Sequence, residues 1–156
     1  GLSVRPTGAR TREAVFNILQ DVSGFSVLDL FAGSGIMGIE AISRGASSVV
    51  AVENNRKQAI SLRNNYRKLQ IENNLTLWER DVLSLEFSHE KKTFDLIYAD
   101  PPFTETYPDL RKFLDFLSPD GVAIFECPSR AIPEWALEGK VRRYGESSLA
   151  FFWKDS

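Results

Sequence analysis

Val27-Leu28-Asp29-Leu30-Phe31-Ala32-Gly33-Ser34-Gly35-Ile36-Met37-Gly38 is an apolar run rich in strand formers that stops at a glycine loop, after which helical spacing resumes. The pattern predicts strand, tight turn and helix. Gly33 and Gly35 let the backbone turn sharply and come close to a ligand with no side chain in the way, and Gly38 lets the new helix lie close to the sheet. This is a cradle for a nucleotide cofactor. By itself Gly33-x-Gly35-x-x-Gly38 does not name which one.

Working outward, a helix is expected after Pro6 and Gly8, with Val15, Ile18, Leu19 and Val22 as its apolar stripe and Arg10, Glu13, Asn17 and Gln20 as its polar one. Ser23-Gly24 ends it. The first strand is read over about 26–31, and the helix after the loop ends near Gly45. A second strand, Ser48 to Val52, runs into Glu53, 18 residues after Gly35, close to the spacing at which an acid reaches ribose hydroxyls. The next helix, about Arg56 to Gln70, puts Ala59, Leu62, Tyr66 and Leu69 on one face and its many Arg, Lys and Asn residues on the other, as a solvated surface.

Leu75 to Trp78 reads as a third strand, with Asp81 just past its carboxyl end. There Asp81 suits either acceptance from the exocyclic amine of an adenine or the N-capping of the segment that follows. His89 is a lone imidazole in a charged loop and is assigned no role. Phe94 to Ala99 is the fourth strand. It is followed by a helix with Leu110, Phe113, Leu114 and Leu117 on one stripe, a turn at Pro119-Asp120-Gly121, and a fifth strand from Val122 to Glu126. Runs at about 140–144 and 149–153 leave no room for a crossover helix, so they are expected to pair as an antiparallel hairpin at the sheet edge. Phe151, Phe152 and Trp153 are read as core. The alternation of strands and helices predicts an α/β, Rossmann-like, doubly wound and mostly parallel seven-stranded sheet with a C-terminal antiparallel hairpin.

Composition bounds the function. With 43% hydrophobic and 26% charged residues, the 156-residue chain fits one globular domain over 1–156. Cys127 is the single cysteine, which excludes an internal disulfide and a multi-cysteine zinc site; no metal is expected. No apolar run is long enough to cross a bilayer, and the expected compartment is the cytoplasm. The chain opens Gly1-Leu2-Ser3 without an initiator methionine, so a native N-terminal segment is expected to be missing. The net charge of -2 carries no global nucleic-acid signature, although Arg5, Arg10 and Arg12 precede the first acid.

The chemistry is carried by Asp100-Pro101-Pro102-Phe103, which ends the fourth strand. Two prolines stiffen the backbone and remove two N–H donors, leaving the Pro101 carbonyl and the Asp100 carboxylate as rigid acceptors. Such a corner suits an amino group. The exocyclic amine of a nucleobase is a poor nucleophile because its lone pair is delocalised; two acceptors holding its hydrogens aim that lone pair at an electrophilic methyl and stabilise charge building on nitrogen. Phe103 can stack on the base, which must be unpaired or flipped out.

Asp29-x-Phe31-Ala-Gly33-Ser-Gly35 together with Asp100-Pro-Pro-Phe103 resembles the S-adenosylmethionine-dependent amino-methyltransferases. More narrowly, Arg5-Pro6-Thr7-x-x-Arg10-x-Arg12-Glu13-x-x-Phe16-Asn17-x-Leu19 and Gly38-Ile39-Glu40-Ala41-x-Ser43-Arg44-Gly45 resemble the bacterial 16S ribosomal RNA guanine-N2 methyltransferase family. The resemblance implies methyl transfer from S-adenosyl-L-methionine to a guanine amino group of small-subunit RNA, within a partly assembled particle and by a monomer. It implies that Asp29, Phe31, Gly33, Gly35, Glu53, Asp81 and Asp100 hold the cofactor. Asp100, Pro101, Pro102 and Phe103 then shape the catalytic corner, while Arg5, Thr7, Arg10, Asn17 and Phe103 meet the substrate. The family's basic segment ahead of Arg5-Pro6 is missing. Motif chemistry alone leaves adenine N6 on DNA or RNA open, as well as a nicotinamide-dependent oxidoreductase or a noncatalytic RNA-binding assembly module.

Overall fold

A computed structural model describes residues 8–85, 92–102 and 107–154. Arg5, Thr7, His89 and Phe103 lie outside them. The elements are α1 (Ala9–Leu19), β1 (Ser26–Leu30), α2 (Ile36–Ser43), β2 (Ser48–Val52), α3 (Arg56–Lys68), β3 (Leu75–Trp78), β4 (Phe94–Ala99), β5 (Leu117–Pro128), β6 (Lys140–Tyr144) and β7 (Ser147–Trp153). The strands form one sheet in the order β3-β2-β1-β4-β5-β7-β6. β1 to β5 run parallel, and β7 enters antiparallel between β5 and the edge strand β6.

Strand alternation divides the core in two. Val27, Val49, Leu96, Ile124 and Phe151 face the side covered by α1, α2 and α3. Leu28, Leu30, Val50, Ile97 and Phe125 face the other side, covered by segments around Val82, Leu110, Phe113 and Trp135. Apolar residues on both faces of the central strands are what a parallel sheet covered on both sides requires.

Several boundaries depart from the sequence reading. Phe31 leaves the strand because its φ is 56°, a left-handed conformation rare for a non-glycine residue. Phe16 joins the α1 core face, packed against the sheet with the Arg44 guanidinium 4.8 Å above its ring. Leu69 was expected on the buried face of α3 but is 56% exposed, because the helix ends at Lys68 and turns away before Leu69 can reach the sheet. The helix expected over Leu110 to Leu117 is a 3-10 helix at Arg111–Phe116. Leu110 and Phe113, three residues apart, stack on one side of such a helix, and Leu117 is drawn into β5 opposite Phe94. The Pro119-Asp120-Gly121 turn survives as an irregularity inside β5, with Asp120 at φ 65°. The hairpin turn shortens to Gly145-Glu146, so Ser147 and Ser148 belong to β7, and Trp153 is 42% exposed at the strand end rather than core.

α1 and α2 explain two of the quoted motifs together. Arg12 Nε lies 3.8 Å from Glu40 Oε1, and Glu40 Oε2 also accepts from Arg44 Nε and Ser43 Oγ, each at 3.1 Å. Arg12 meets Glu40 and Phe16 meets Arg44, the C-cap of α2, so residues four apart on α1 meet residues four apart along α2 and its cap, and the helices run parallel. The amino end of α1 therefore lies beside the start of α2, on the glycine-loop side of the sheet.

Candidate active site

The glycine loop is built from below. Ala32 N–H donates to the Val52 carbonyl at 3.0 Å, and Gly35 N–H closes a turn on the Ala32 carbonyl at 2.9 Å. Gly33 and Gly35 have φ of 58° and 84°, conformations that L side chains rarely adopt. Gly35 is the N-cap of α2. A Cβ on Gly38 would stand 2.3 Å from Tyr66 Oη and 2.9 Å from Val49 Cγ1, so its absence is what seats α2 on β2 and α3. Asn65 Nδ2 holds the Ser34 carbonyl at 3.0 Å.

Above the loop, at the carboxyl ends of β1 to β4, lies a cleft of about 810 Å³ lined by Phe31, Gly33, Glu53 to Arg56, Gln58, Asp81, Val82, Asp100 and Pro102. Because β1 pairs with β4, with Leu30 beside Ala99, the glycine loop and the Asp-Pro-Pro corner open into one space. Carboxyl ends of adjacent strands are where open α/β sheets place ligands. Glu53 Oε1 accepts from Gly33 N–H at 2.7 Å and Oε2 from Asn55 N–H at 2.8 Å, which ties the end of β2 to the loop. Asp81 performs the cap considered for it, accepting from Leu83 N–H at 3.0 Å, while also lining the cleft.

Of the residues assigned to the cofactor, Phe31, Gly33, Glu53, Asp81 and Asp100 line the cleft. Asp29 and Gly35 act from beneath the loop. Of the corner, Asp100 and Pro102 line the wall while Pro101 is buried. Arg10 and Asn17 are exposed on α1 and are not part of the cleft wall, though Arg10 stands at the end of α1 on the loop side. Asn54, Asn55, Arg56 and Gln58 were missed; polar residues directly after the β2 acid were the available signal. Also missed was a buried carboxylate on the strand beside β4: Glu126, 1% exposed, accepts from Tyr98 Oη at 2.6 Å and from Ser147 Oγ at 3.2 Å. Its signal was a carboxylate ending an apolar strand. Among the described residues, no group of three or more His, Cys, Asp or Glu could hold a metal ion. No helix there is long and apolar enough to cross a membrane.

Asp29 is 2% exposed. Burial pushes its carboxyl well above the ordinary carboxylate range; the Gly38 N–H that it accepts offsets part of this, and the charges of Glu53 and Asp100 add to it. Its Oδ2 and the neighbouring Tyr66 Oη are buried without hydrogen-bond partners among the described residues. A folded-state pKa above the unfolded one means that the stabilising contribution is present below the unfolded value and is lost as pH rises through the folded one. Asp29→Asn removes that loss. It keeps an acceptor for the Gly38 N–H and carries no carboxyl proton to lose. Urea denaturation from pH 4 to pH 8 should show the variant gaining stability over the parent as pH rises; a difference that does not vary with pH would refute a raised carboxyl pKa at Asp29.

A family model described as Conserved hypothetical protein 95 matches residues 1–153. The ribosomal RNA small subunit methyltransferase D of Haemophilus influenzae is 36% identical over 107 residues, which are 64% of this chain and 53% of that protein. The chain thus spans about half the length of this curated relative. A conserved hypothetical protein of Streptococcus pyogenes has a solved structure that superposes with a TM-score of 0.76 at 30% identity, covering 91% of this chain and 94% of that one. An RNA methyltransferase from Salinibacter ruber, solved in complex with S-adenosyl-L-homocysteine, shares the fold at 15% identity, with a TM-score of 0.69 over 96% and 93% of the two chains.

Proposed function

We propose that this chain, which belongs to the family described as Conserved hypothetical protein 95, transfers a methyl group from S-adenosyl-L-methionine to the exocyclic N2 of a guanine in 16S ribosomal RNA. One observation carries the reading: Gly33 of the glycine loop and Asp100 and Pro102 of the acceptor corner line the same cleft. The likeness to proteins named ribosomal RNA small subunit methyltransferase D supports the RNA substrate.

The cleft fits the cofactor. Among the described residues no atom lies within 4 Å of where a Cβ on Gly33 would stand, so the loop offers bare backbone to a ligand. Glu53 spends two acceptor sites on backbone N–H groups, and a carboxylate has about four, which leaves capacity for ribose hydroxyls. Asp81 retains an oxygen for an adenine amine. When bound, S-adenosyl-L-methionine supplies a methyl group activated by its sulfonium sulfur.

The chain's own residues do the rest. The Asp100 carboxylate and the Pro101 carbonyl accept the two hydrogens of the guanine amine, turn its lone pair toward the methyl, and stabilise positive charge as it develops on nitrogen. The prolines hold the two acceptors still, so little reorganisation is required at the moment of reaction. Phe103 stacks on the flipped base, and Arg5, Thr7, Arg10 and Asn17 meet the RNA around it. The protein acts as a monomer in the cytoplasm, on RNA within a small-subunit particle.

The test uses labelled S-adenosyl-L-methionine and small-subunit particles from a strain lacking the endogenous enzyme, followed by nucleoside mass spectrometry. N2-methylguanosine is the expected product. Methyladenosine would keep the amine chemistry and overturn the base; no product from protein with measured cofactor binding would overturn the enzyme.

A further inference from the structure

The side of α3 away from the sheet carries charge that the cleft does not explain. The helix contains Arg56, Lys57, Arg63, Arg67 and Lys68 and no acidic residue, in a chain whose net charge is -2. Arg56, Arg63 and Arg67 recur at i, i+7 and i+11 and so form one row, with Lys57 and Lys68 about a third of a turn round to one side of it. All five are exposed, while Ala59, Leu62 and Tyr66 face the sheet at 1% exposure or less. Arg56 pairs with Glu79 at 2.9 Å and lines the cleft, so the row starts at the cleft rim and runs away from it. Lys57, Arg63, Arg67 and Lys68 make no side-chain hydrogen bond or ion pair among the described residues.

Helix stability does not account for this arrangement. Arg56 and Lys57 in the first turn oppose the helix dipole, which favours acids there. Arg63 and Arg67 are a like-charged i,i+4 pair, which repels. Only Arg67 and Lys68, in the last turn, are placed as the dipole prefers. Nor is this a membrane-binding helix, since its apolar face is spent on the sheet and Ile60 is the one large apolar side chain exposed within it. Cations held against local electrostatic preference, in a row leading from a cleft, match a polyanion lying across them.

We propose that the outer face of α3 is a docking surface for the RNA phosphate backbone, leading the strand to the cleft; this rests on the RNA methyltransferase reading above. RNA phosphates displace counterions along the row, so its share of the affinity is salt-dependent and indifferent to sequence.

The experiment measures binding of a 16S ribosomal RNA transcript, as a function of salt, to the parent chain, to Arg63→Gln/Arg67→Gln/Lys68→Gln, and to Lys140→Gln/Arg142→Gln/Arg143→Gln, which removes the same charge from β6. The α3 variant should bind at least tenfold more weakly near 0.15 M salt, with the slope of log K against log salt smaller by about 2. Its affinity for S-adenosyl-L-methionine should be unchanged. Equal losses in both variants would mean a general charge effect and overturn the proposal, as would unchanged RNA affinity accompanied by lost retention on poly-glutamate. RNA binding that depends on α3 without methyl transfer would sink the methyltransferase reading and keep the docking surface. Methyl transfer with unaltered RNA affinity in the α3 variant would do the reverse.

Discussion

Asp100→Ala should lower the rate of methyl transfer by about a thousand-fold, the order found when one preorganised charge-stabilising group is lost from an active site. Affinity for S-adenosyl-L-methionine should stay within a few-fold. The asymmetry follows from the two sides of the cleft: Gly33, Glu53 and Asp81 stand on the β1 to β3 side, whereas Asp100 stands with Pro102 at the end of β4. Removing the carboxylate leaves the amine with one acceptor and an unaimed lone pair. Asp100→Asn should recover part of the rate, because its amide oxygen can still accept one hydrogen while its amide nitrogen cannot. Single-turnover transfer of labelled methyl, beside calorimetry with the cofactor alone, measures the two quantities separately. An alanine variant as active as the parent would remove Asp100 from the catalytic corner.

Two glycines of one loop should fail in different ways. Gly35→Ala places its Cβ 2.8 Å from Leu62 Cγ and 3.2 Å from Tyr66 Cε1, at a φ of 84°. The left-handed backbone costs about 1–2 kcal/mol and the forced packing about 1–3 more. Together these approach the lower end of the roughly 5–15 kcal/mol that holds a domain folded. Gly33→Ala, at φ 58° with nothing among the described residues within 4 Å of its Cβ, bears the backbone cost without the clash. Its new methyl instead enters the cleft. Urea denaturation should therefore show Gly35→Ala as the far less stable variant. Calorimetry should show Gly33→Ala, still folded, binding S-adenosyl-L-methionine more than tenfold more weakly. Equal destabilisation with intact binding would mean that Gly33 does not border the cofactor.

Much of this could be read from the chain because the decisive signals are local. β2, β3, β4 and β6 occupy the expected residues, since each is a short apolar or β-branched run bounded by turn formers. The departures arise where a distant contact outweighs local pattern. Leu117 has the spacing of a helical stripe, yet pairing with Phe94 takes it into a strand. Leu69 continues the period of Ala59, Leu62 and Tyr66, but the sheet lies beyond its reach. Phe31 continues a strand-forming run, but the chain must turn there to bring Gly33 N–H onto Glu53.

The acids mark the boundary between sequence and structure most clearly. Asp29, Glu53, Asp81, Asp100 and Glu126 all sit in or just after strands, and all but Asp81, which follows Glu79-Arg80, were available to sequence reading as carboxylates in or directly after apolar runs. The sequence by itself determined the glycine loop, the alternation of elements and the acceptor chemistry of Asp100-Pro101-Pro102, because backbone freedom, periodicity and donor inventory are properties of neighbouring residues. Only the tertiary structure decided that Glu53, Asp81 and Asp100 share a cleft, that Asp29 lies buried beneath Gly38, and that Glu126, on the strand beside β4, accepts from Tyr98. Those placements depend on strand order and on which face each strand turns to a helix, and both are set by packing between segments far apart in the chain.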